Sequence, residues 1–432
     1  MPSPATVAAP ANPSPNTIAP QGPVELDQVP VSKCGLWGLV GFLAAVGFSF
    51  DVRLETHYRV LICAGGAAIP MILYDLLVLK VHLRKSAGLD RPVNQRGVNW
   101  ARVGVKVVGL CGTLGAIAIA YLVFREYHGR FYYPFWNILK VVAVPAAVLT
   151  VPYIAFVDGR MSKPRDGYWH VGAVILGNWK EVDRNELAKH FRGWLVKGFF
   201  LPLMIVYLGK NLDTIAARAH RFNAFVGIYD FAWLGMYTVD VGFAVVGYSL
   251  TFRLLDAHMR SAEPTMLGWA VCIACYQPFW ATIERMYLHY EDGLSWGRWL
   301  SETPIVHGIW GGAILACTFV YVWATVTFGL RFSNLTHRGV LTFGPYRLLR
   351  HPAYVSKNLS WWLISIPFIP MDGDWASVAR NCIALLCLNG IYTMRAVTEE
   401  RHLGRDPAYT DYQARTPLLF ARIYRRLRGA RG

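Results

Sequence analysis

Charged side chains are scarce in this chain: Asp, Glu, Lys and Arg make up 16% of its 432 residues. A soluble domain of average composition carries roughly 25% charged residues. Acidic residues are scarcer than basic ones: there are 27 Asp and Glu and 43 Lys and Arg, so the formal net charge is +16. Apolar residues make up 54% of the chain. This balance argues against a soluble globular protein and favours a chain that lies mainly in lipid.

The apolar residues occur in blocks. A helix that crosses a bilayer needs about 20 mostly apolar residues, with a range of roughly 17–25. The sequence predicts an all-α, polytopic integral membrane protein with about ten transmembrane helices, the last two forming a C-terminal hairpin. One block, 223–254, is long enough for a tilted span with an interfacial piece or for two short spans. The blocks are 34–50, 60–79, 103–124, 135–157, 193–209, 223–254, 265–283, 305–328, 354–370 and 378–394.

Basic residues are concentrated in alternate loops, at 80–102, 158–192 and 329–353, and in the tail that follows Met394. By the positive-inside rule these segments face the cytoplasm, which predicts that both termini are cytoplasmic. Because the cations lie beside spans, they suit anionic lipid headgroups better than the compact basic face that nucleic acid requires. Membrane lipids are therefore expected partners and nucleic acid is not, while the oligomeric state stays open.

Several other features are missing. Residues 1–33 are rich in Pro and Ala but lack a basic segment followed by an apolar core, which predicts a disordered tail and not a signal peptide. There is no evident internal repeat and there are no paired histidine boxes. Cys272 and Cys275 have no second pair nearby, so no metal site is predicted. Residues 34–304 form an N-terminal transmembrane region, and 305–432 form a transmembrane core with a basic tail.

Two polar clusters frame the predicted hairpin. Residues 344–354 (GPYRLLRHPAY) lead into the ninth apolar block, and residues 395–403 (RAVTEERHL) follow the tenth. Pro367, Pro370 and the segment 371–374 (MDGD) predict a turn at the far membrane face. The hairpin therefore returns both clusters to one face, which the charge distribution predicts to be cytoplasmic.

The first cluster has features of a helix entry. Pro352 suits the first helical turn and restricts the residue before it, which predicts that His351 begins the helix with its ring towards a pocket. Arg350 offers a planar fork that fits a carboxylate. Anchoring of the hairpin to lipid headgroups would explain Arg350 and His351 equally well.

In the second cluster, Arg395 and Glu399 are four residues apart and share one face of a helix. An isolated surface pair of this kind contributes below about 1 kcal/mol, so a solvated helix end is the plain explanation. Beside the hairpin, however, Glu399 and Glu400 suit the amino group of a ligand, while Arg395 suits a carboxylate.

These motifs, together with 409–412 (YTDY) and 415–417 (RTP), resemble the isoprenylcysteine carboxyl methyltransferase and phospholipid N-methyltransferase superfamily. The family pattern is G-x-Y-x-x-x-R-H-P-x-Y, a two-span hairpin, E-E-x-x-L and a tyrosine-rich tail. The likeness covers about residues 315–420, roughly a quarter of the chain. It implies that S-adenosylmethionine binds in a cytoplasmic pocket over the hairpin and that a lipophilic small molecule or lipidated substrate arrives from the bilayer.

The resemblance also implies roles for individual residues. Arg350, Arg395 and Glu399 would be catalytic, orienting the acceptor or the cofactor carboxylate. A carboxylate acceptor needs no base, whereas a thiol or an amine does, and His351 or a glutamate would then serve. The sequence does not indicate which of these three groups is the methyl acceptor. The cofactor would be contacted by Tyr346, His351, Pro352, Tyr354, Glu399, Glu400 and Leu403.

One departure from the family pattern is Lys357, which stands in a stretch where the family has a small residue and glycine. It either extends to the headgroups or favours an anionic acceptor. The seven or so spans that precede the likeness go beyond the smallest members of the family and would build an acceptor vestibule.

Two alternatives stay open. An NADPH-dependent sterol or isoprenoid double-bond reductase also has about ten spans and a related R-H-P-x-Y hairpin, but usually carries G-W-W where this chain has Gly344, Pro345 and Tyr346. A non-catalytic scaffold or a transporter predicts broken spans or internal repeats. The pattern at 344–346 favours methyl transfer.

Overall fold

A computed structural model describes residues 29–52, 54–89, 98–218, 225–290, 295–370, 374–416 and 418. Within them, the only sheet consists of two strands of two residues, β1 Ser261–Ala262 and β2 Thr336–His337, which pair antiparallel. The α-helices in chain order are α1 Cys34–Asp51, α2 Thr56–Leu73, α3 Trp100–Val123, α4 Tyr133–Asp158, α5 Gly167–Ile175, α6 Arg184–Arg218, α7 Phe225–Ser249, α8 Met266–Ile273, α9 Phe279–Thr282, α10 Trp296–Trp299, α11 Pro304–Phe328, α12 Pro352–Ser365, α13 Trp375–Leu403 and α14 Pro407–Arg415.

Seven helical segments in the described part of the chain are long and apolar enough to cross a membrane. A helix satisfies its own backbone hydrogen bonds, which is the condition for lying in lipid. The protein is therefore an all-α, polytopic membrane protein, as predicted. The seven segments are Cys34–Asp51, Thr56–Val78, Trp100–Val123, Arg130–Asp158, Arg184–Arg218, Gly227–Ser249 and Pro304–Arg331.

The predicted number of ten spans is not confirmed. The block 265–283 is interrupted: α8 has eight residues and ends at Ile273, and α9 begins six residues later. The block 354–370 forms α12, which has 14 residues, and 378–394 lies within the 29-residue α13. Within the block 223–254, left open between one span and two, residues 225–249 form the single helix α7.

Parts of three predictions lie outside the described residues. They are the disordered tail, of which only 29–33 is described, the basic tail beyond 418, and the hairpin turn at 371–373. Asp374 is described and caps the N-terminus of α13, accepting hydrogen bonds from the backbone N–H groups of Ala376 and Ser377 at 2.9 and 3.3 Å.

Small residues let several spans approach closely, as is common between membrane helices. A Cβ atom on Gly41 of α1 would lie 2.1 Å from the carbonyl oxygen of Gly66 in α2. A Cβ atom on Gly109 of α3 would lie 1.8 Å from the carbonyl oxygen of Tyr168 in α5. At these points only glycine permits the observed backbone contact.

Loops 79–89, 250–263 and 329–351 meet at one end of the helix bundle, which we call the Asp256 face. The fully buried carboxylate of Asp256 accepts from Arg84 at 3.2 Å and Ser86 at 2.8 Å, and lies 3.4 Å from Arg260 and 3.7 Å from Arg331. A buried acid of this kind needs such partners to offset its lost hydration. Asp256 therefore joins three loops that are far apart in sequence.

The buried guanidinium of Arg338 continues this network. It donates to the backbone carbonyls of Ala257 at 2.7 Å, Gly247 at 2.8 Å, Phe332 at 2.9 Å and Leu250 at 3.0 Å. Gly247 lies at the C-terminal end of α7, Leu250 and Ala257 lie in the loop between α7 and β1, and Phe332 follows the end of α11 by four residues. Both helices consequently end at the Asp256 face.

The N-terminal ends of the same two helices meet at the opposite face. There, the ring of Trp296 in α10 lies 4.7 Å from Tyr229 near the start of α7 and 4.8 Å from His307 in the first turn of α11. Since β1 lies at the Asp256 face and α10 at the opposite one, the segment 263–296 passes from one face to the other. The interrupted block 265–283 is part of that passage.

Candidate functional site

The hairpin brings its two polar clusters together at the Asp256 face. His351 is the residue before α12 and Pro352 is the first helical residue, as predicted. The Nε2 atom of His351 lies 2.9 Å from Oε1 of Glu400, and the Tyr354 hydroxyl donates to Oε2 of Glu399 at 2.9 Å. The start of α12 thus contacts the end of α13 through two hydrogen bonds. The structure therefore brings together the aromatic, imidazole and carboxylate groups that the motifs contributed separately.

Glu400 is the most fully paired carboxylate of this group. It accepts from His351, from Arg350 Nη1 at 3.0 Å and from Gln413 Nε2 at 3.3 Å. Burial favours the neutral acid, but the hydrogen bond from His351 and the charge of Arg350 outweigh it and hold the pKa of Glu400 below its usual value. Glu400 therefore joins α12, α13 and α14, and its charge is already satisfied by the protein.

Glu399 has different surroundings. Its side chain is 41% exposed, against 20% for Glu400. Tyr354 donates to one carboxylate oxygen, and His351 Nδ1 is 4.0 Å from the same oxygen. Most of the hydrogen-bonding capacity of this carboxylate is therefore open to a ligand.

Arg395 is a buried cation surrounded by aromatic rings. Its guanidinium carbon lies 5.2 Å from the ring centres of Tyr354 and Tyr392 and 5.7 Å from that of Tyr276, within the range of cation–π attraction. Its Nη2 donates to Oδ1 of Asn334 at 3.1 Å. Among the described contacts Arg395 forms no ion pair with Glu399, although the two residues share a helix face, because Asn334 and the tyrosines surround the guanidinium.

A cavity of about 380 Å³, including solvent at its mouth, lies between α8, the loop before β2 and α13. Arg395, Glu399, Tyr354 and Leu403 are the predicted site residues that line it. The cavity therefore combines an open carboxylate, a buried guanidinium and an aromatic ring.

The other predicted site residues lie behind this cavity. Arg350, His351 and Glu400 form the cluster described above, and the His351 ring, expected to face the pocket, stacks 5.6 Å from that of Tyr354. Tyr346 is buried: its ring packs 5.3 Å from Phe328 and its carbonyl accepts from the Tyr412 hydroxyl at 2.7 Å. These residues, with Pro352, position the cavity-lining residues and do not line the cavity.

Among the cavity residues that sequence reasoning missed are three that come from distant segments: Glu263, Cys272 and Asn334. Glu263 follows β1 and lies 3.8 Å from Nδ1 of His402, and its carboxylate accepts from the backbone N–H of Thr265 at 2.9 Å. None of the three belongs to a local motif, because the β1–β2 pairing brings them to the site from the distant segment 261–272 and from the loop at 334.

Lys357 lies inside the hairpin region and not at its rim. Its ammonium group is 5.3 Å from the ring centre of Tyr321, 5.4 Å from that of Tyr392 and 5.5 Å from that of Trp361. Asp240 lies nearby, accepting from the hydroxyls of Tyr321 and Thr325 at 2.5 Å each. The cation is thus held among aromatic rings.

Fold and site together define a polytopic helical membrane protein with a polar cavity where an apolar hairpin reaches one membrane face. The chain is 27% identical over 128 residues to the cobalt-zinc-cadmium resistance protein CzcN of Cupriavidus metallidurans. The alignment covers 29% of this chain and 53% of CzcN, so this chain spans about half the length of that relative. No family model and no solved structure matches the chain.

Proposed function

We propose that the protein is a membrane-bound S-adenosylmethionine-dependent methyltransferase with a lipophilic acceptor, most like the carboxylate of a prenylated cysteine. One observation carries the proposal: the half-exposed carboxylate of Glu399 and the buried guanidinium of Arg395 line the same cavity, where the apolar hairpin ends. A carboxylate suits the amino group of S-adenosylmethionine, and a guanidinium suits the carboxylate of the cofactor or of the acceptor. The neighbouring lipid suits an acceptor with an apolar tail.

The residues of the cavity fit this cofactor by their chemistry. S-adenosylmethionine supplies a methyl group already activated on a sulfonium cation. Glu399 offers an acceptor for an amino group, and the ring of Tyr354, which lines the cavity, offers a face that attracts a cation. Arg395 has five N–H donors and uses one of them on Asn334, which leaves others for a carboxylate.

Each side chain then has a defined task. Glu399 binds and orients the cofactor, and Arg395 holds a carboxylate in line for attack, so that no base is needed. The tyrosine rings exclude water and strengthen the electrostatic contacts within the site. Glu400, Arg350 and His351 position the end of α13 and touch neither reactant. Alignment of two reactants is a large part of catalysis when the donor is already activated.

The test is transfer of a radiolabelled methyl group to N-acetyl-S-farnesyl-cysteine by protein reconstituted in lipid vesicles. We expect the labelled product to enter the organic phase. Mild alkali should then release the label from it as methanol, since a carboxyl methyl ester is hydrolysed whereas a thioether or a methylamine is not. Arg395→Met should lower the rate by at least about tenfold, the effect of a lost charge-assisted hydrogen bond. Arg347→Met is the matched control at an exposed position of the same face.

Metal handling receives no support from the geometry. The name of the CzcN relative refers to cobalt, zinc and cadmium resistance. Among the described residues, no group of three or more His, Cys, Asp or Glu side chains is arranged to hold a metal ion. The reductase, scaffold and transporter alternatives remain, and cofactor binding separates them.

We also propose that the chain crosses the membrane ten times, with the Asp256 face and both termini in the cytoplasm. The basic segments 79–89, 158–166 and 329–351 lie together: Ser162 donates its backbone N–H to Gly88 at 3.0 Å, and Asp256 binds Arg84 and Arg331. In a cysteine-free background, Arg347→Cys should resist a membrane-impermeant maleimide in intact cells and Glu302→Cys should react. The reverse pattern would invert the orientation.

A further inference from the structure

A second and larger cavity lies in the N-terminal region, apart from the candidate site. Its volume is about 1600 Å³, including solvent at its mouth, and it is enclosed by α3, α4, α6 and the loop 251–259. On α4 its walls are Ala146, Thr150, Ile154 and Asp158, and on α6 they include Glu186 and His190. Steps of four residues place these side chains on one face of each helix. The cavity is therefore a groove that runs along the spans.

The groove has an apolar end. From Asp158 to Ala146, α4 rises about 18 Å, at 1.5 Å per residue. Over the same depth α3 contributes Leu110 and Leu114. An apolar groove of this length at the level of the bilayer core matches a hydrocarbon chain.

At the other end of the groove, basic side chains outnumber the acidic ones that could pair with them. Each acid there has a basic partner: Asp158 binds Arg102 at 2.7 Å and Lys106 at 2.9 Å, Asp166 lies 3.4 Å from Lys106, and Glu186 lies 3.3 Å from Lys189. The three acids lining the groove are thereby accounted for.

Two cations remain without a carboxylate among the contacts of the described residues. Lys197 donates to the hydroxyl of Thr251 at 3.2 Å and lies 5.1 Å from the ring of Trp194. Arg253 Nη1 lies 3.3 Å from Nε2 of His258. This end of the groove thus has positive charge that the described protein does not neutralise.

His258 adds a hydrogen-bond donor. Burial, followed by the charges of Arg253, Arg260, Arg338 and Lys189, holds the pKa of His258 well below its usual value, so the ring is neutral. Because Nε2 accepts from Arg253, the proton is on Nδ1, which is buried and has no hydrogen-bond partner in the described structure. An unmatched donor beside two cations suits an anion.

We propose that this groove binds an amphiphile with an anionic headgroup. The headgroup lies at Lys197, Arg253 and His258, and the hydrocarbon chain lies along Leu110, Leu114 and Ile154. The inference concerns binding alone and does not require methyl transfer. The groove is a neighbour of the candidate site: Met259 lines the one and Glu263 the other, and four residues span at most about 14 Å.

The test is saturable binding of tritiated palmitate to the purified full-length protein. We expect Lys197→Met to weaken binding at least about tenfold, in line with loss of one charge-assisted hydrogen bond. Lys210→Met is the matched control, because Lys210 is on the same helix but lies over the ring of Phe131, outside the groove. Should Lys197→Met fail to fold, Leu110→Trp fills the apolar end and should weaken binding to the same degree.

Competition then identifies the class of ligand. Hexadecanol and hexadecyltrimethylammonium, which share the tail but lack the negative charge, should compete at least about tenfold less well than unlabelled palmitate. Displacement by phosphatidylglycerol would assign the groove to a membrane lipid, and displacement by N-acetyl-S-farnesyl-cysteine to a prenylated carboxylate. Equal competition by hexadecanol, or undiminished palmitate binding in both groove variants, would overturn the proposal.

Discussion

Glu399 and Glu400 are adjacent on α13 and have opposite surroundings. Glu400 is saturated by Arg350, His351 and Gln413, whereas Glu399 receives one hydrogen bond, from Tyr354, and opens to the cavity. Two identical side chains are thus given different tasks by their neighbours. Glu400 stabilises the fold, and Glu399 is available to a ligand.

This difference predicts how stability depends on pH. The folded protein holds the pKa of Glu400 below the 4.5 of an unperturbed glutamate. The unfolded chain therefore takes up a proton first as the pH falls, so the stabilisation is complete above about pH 4.5 and is lost as the pH falls through the folded-state pKa. Thermal unfolding in detergent, followed from about pH 7 to about pH 3.5, should show the midpoint falling at the acid end.

Glu400→Gln is the variant that isolates this contribution. It should lower stability by about 2 kcal/mol at neutral pH, since it removes hydrogen bonds to a charged group, and it should flatten the acid-end decline. Glu399→Gln is the matched control and should cost much less, because its carboxylate is 41% exposed. Equal losses in the two variants would refute the division of tasks.

The sequence predicted correctly that the two polar clusters meet. The contact between residues 350–354 and 399–400 followed from the predicted hairpin, because the two ends of an apolar hairpin must return to the same membrane face. The partners of Arg395 could not be read from the sequence, because a buried guanidinium takes the geometry that desolvation and packing allow, here Asn334 and three tyrosines. Glu263 had no local signal, since only tertiary pairing brings it to the cavity.

At the scale of elements, the spans were predictable and their interruptions were not. Apolar composition marks a block such as 265–283 as long enough to cross, but it does not report where hydrogen bonding along the helix stops. In the structure α8 ends at Ile273, and Pro278 directly precedes α9. Proline removes a backbone donor and disfavours a continuous helix, so its position was the available signal.

Close helix contacts give a prediction at this scale. Gly109→Ala should destabilise the protein by about 1–3 kcal/mol, the cost of overpacking, because its Cβ would lie 1.8 Å from the Tyr168 carbonyl oxygen, a backbone atom of α5. Gly115→Ala, on the same helix, meets nothing within 4 Å and serves as the control. Thermal unfolding in detergent compares the two, and an equal response would show that α3 and α5 do not depend on this contact.

At the scale of the whole molecule, buried charges hold the Asp256 face together. Asp256 joins loops 79–89, 250–263 and 329–351, and Arg331 extends the network to Asp75 at 3.6 Å. Both cavities open among these loops or beside them. The polar network therefore positions the two cavities, while the apolar helices anchor the protein in lipid.

Removal of the Asp256 carboxylate should lower the stability of the protein strongly. Asp256→Ala leaves several cations without their buried counter-charge, and loss of one partner of a buried pair costs about 3–5 kcal/mol. Asp213→Ala removes an exposed carboxylate that pairs with Arg59 at 2.7 Å and should cost below about 1 kcal/mol. Thermal unfolding of both variants measures the difference, and comparable losses would contradict the role given to Asp256.

The most direct test of the proposed function is calorimetric titration of the detergent-purified protein with S-adenosylmethionine and, separately, with NADPH. We expect micromolar binding of S-adenosylmethionine, weakened at least about tenfold by Glu399→Ala and unchanged by Glu302→Ala, a control at an exposed position on the opposite face. NADPH should give no heat of binding. Binding of NADPH in place of S-adenosylmethionine would support a reductase, and silence to both would contradict the enzyme assignment.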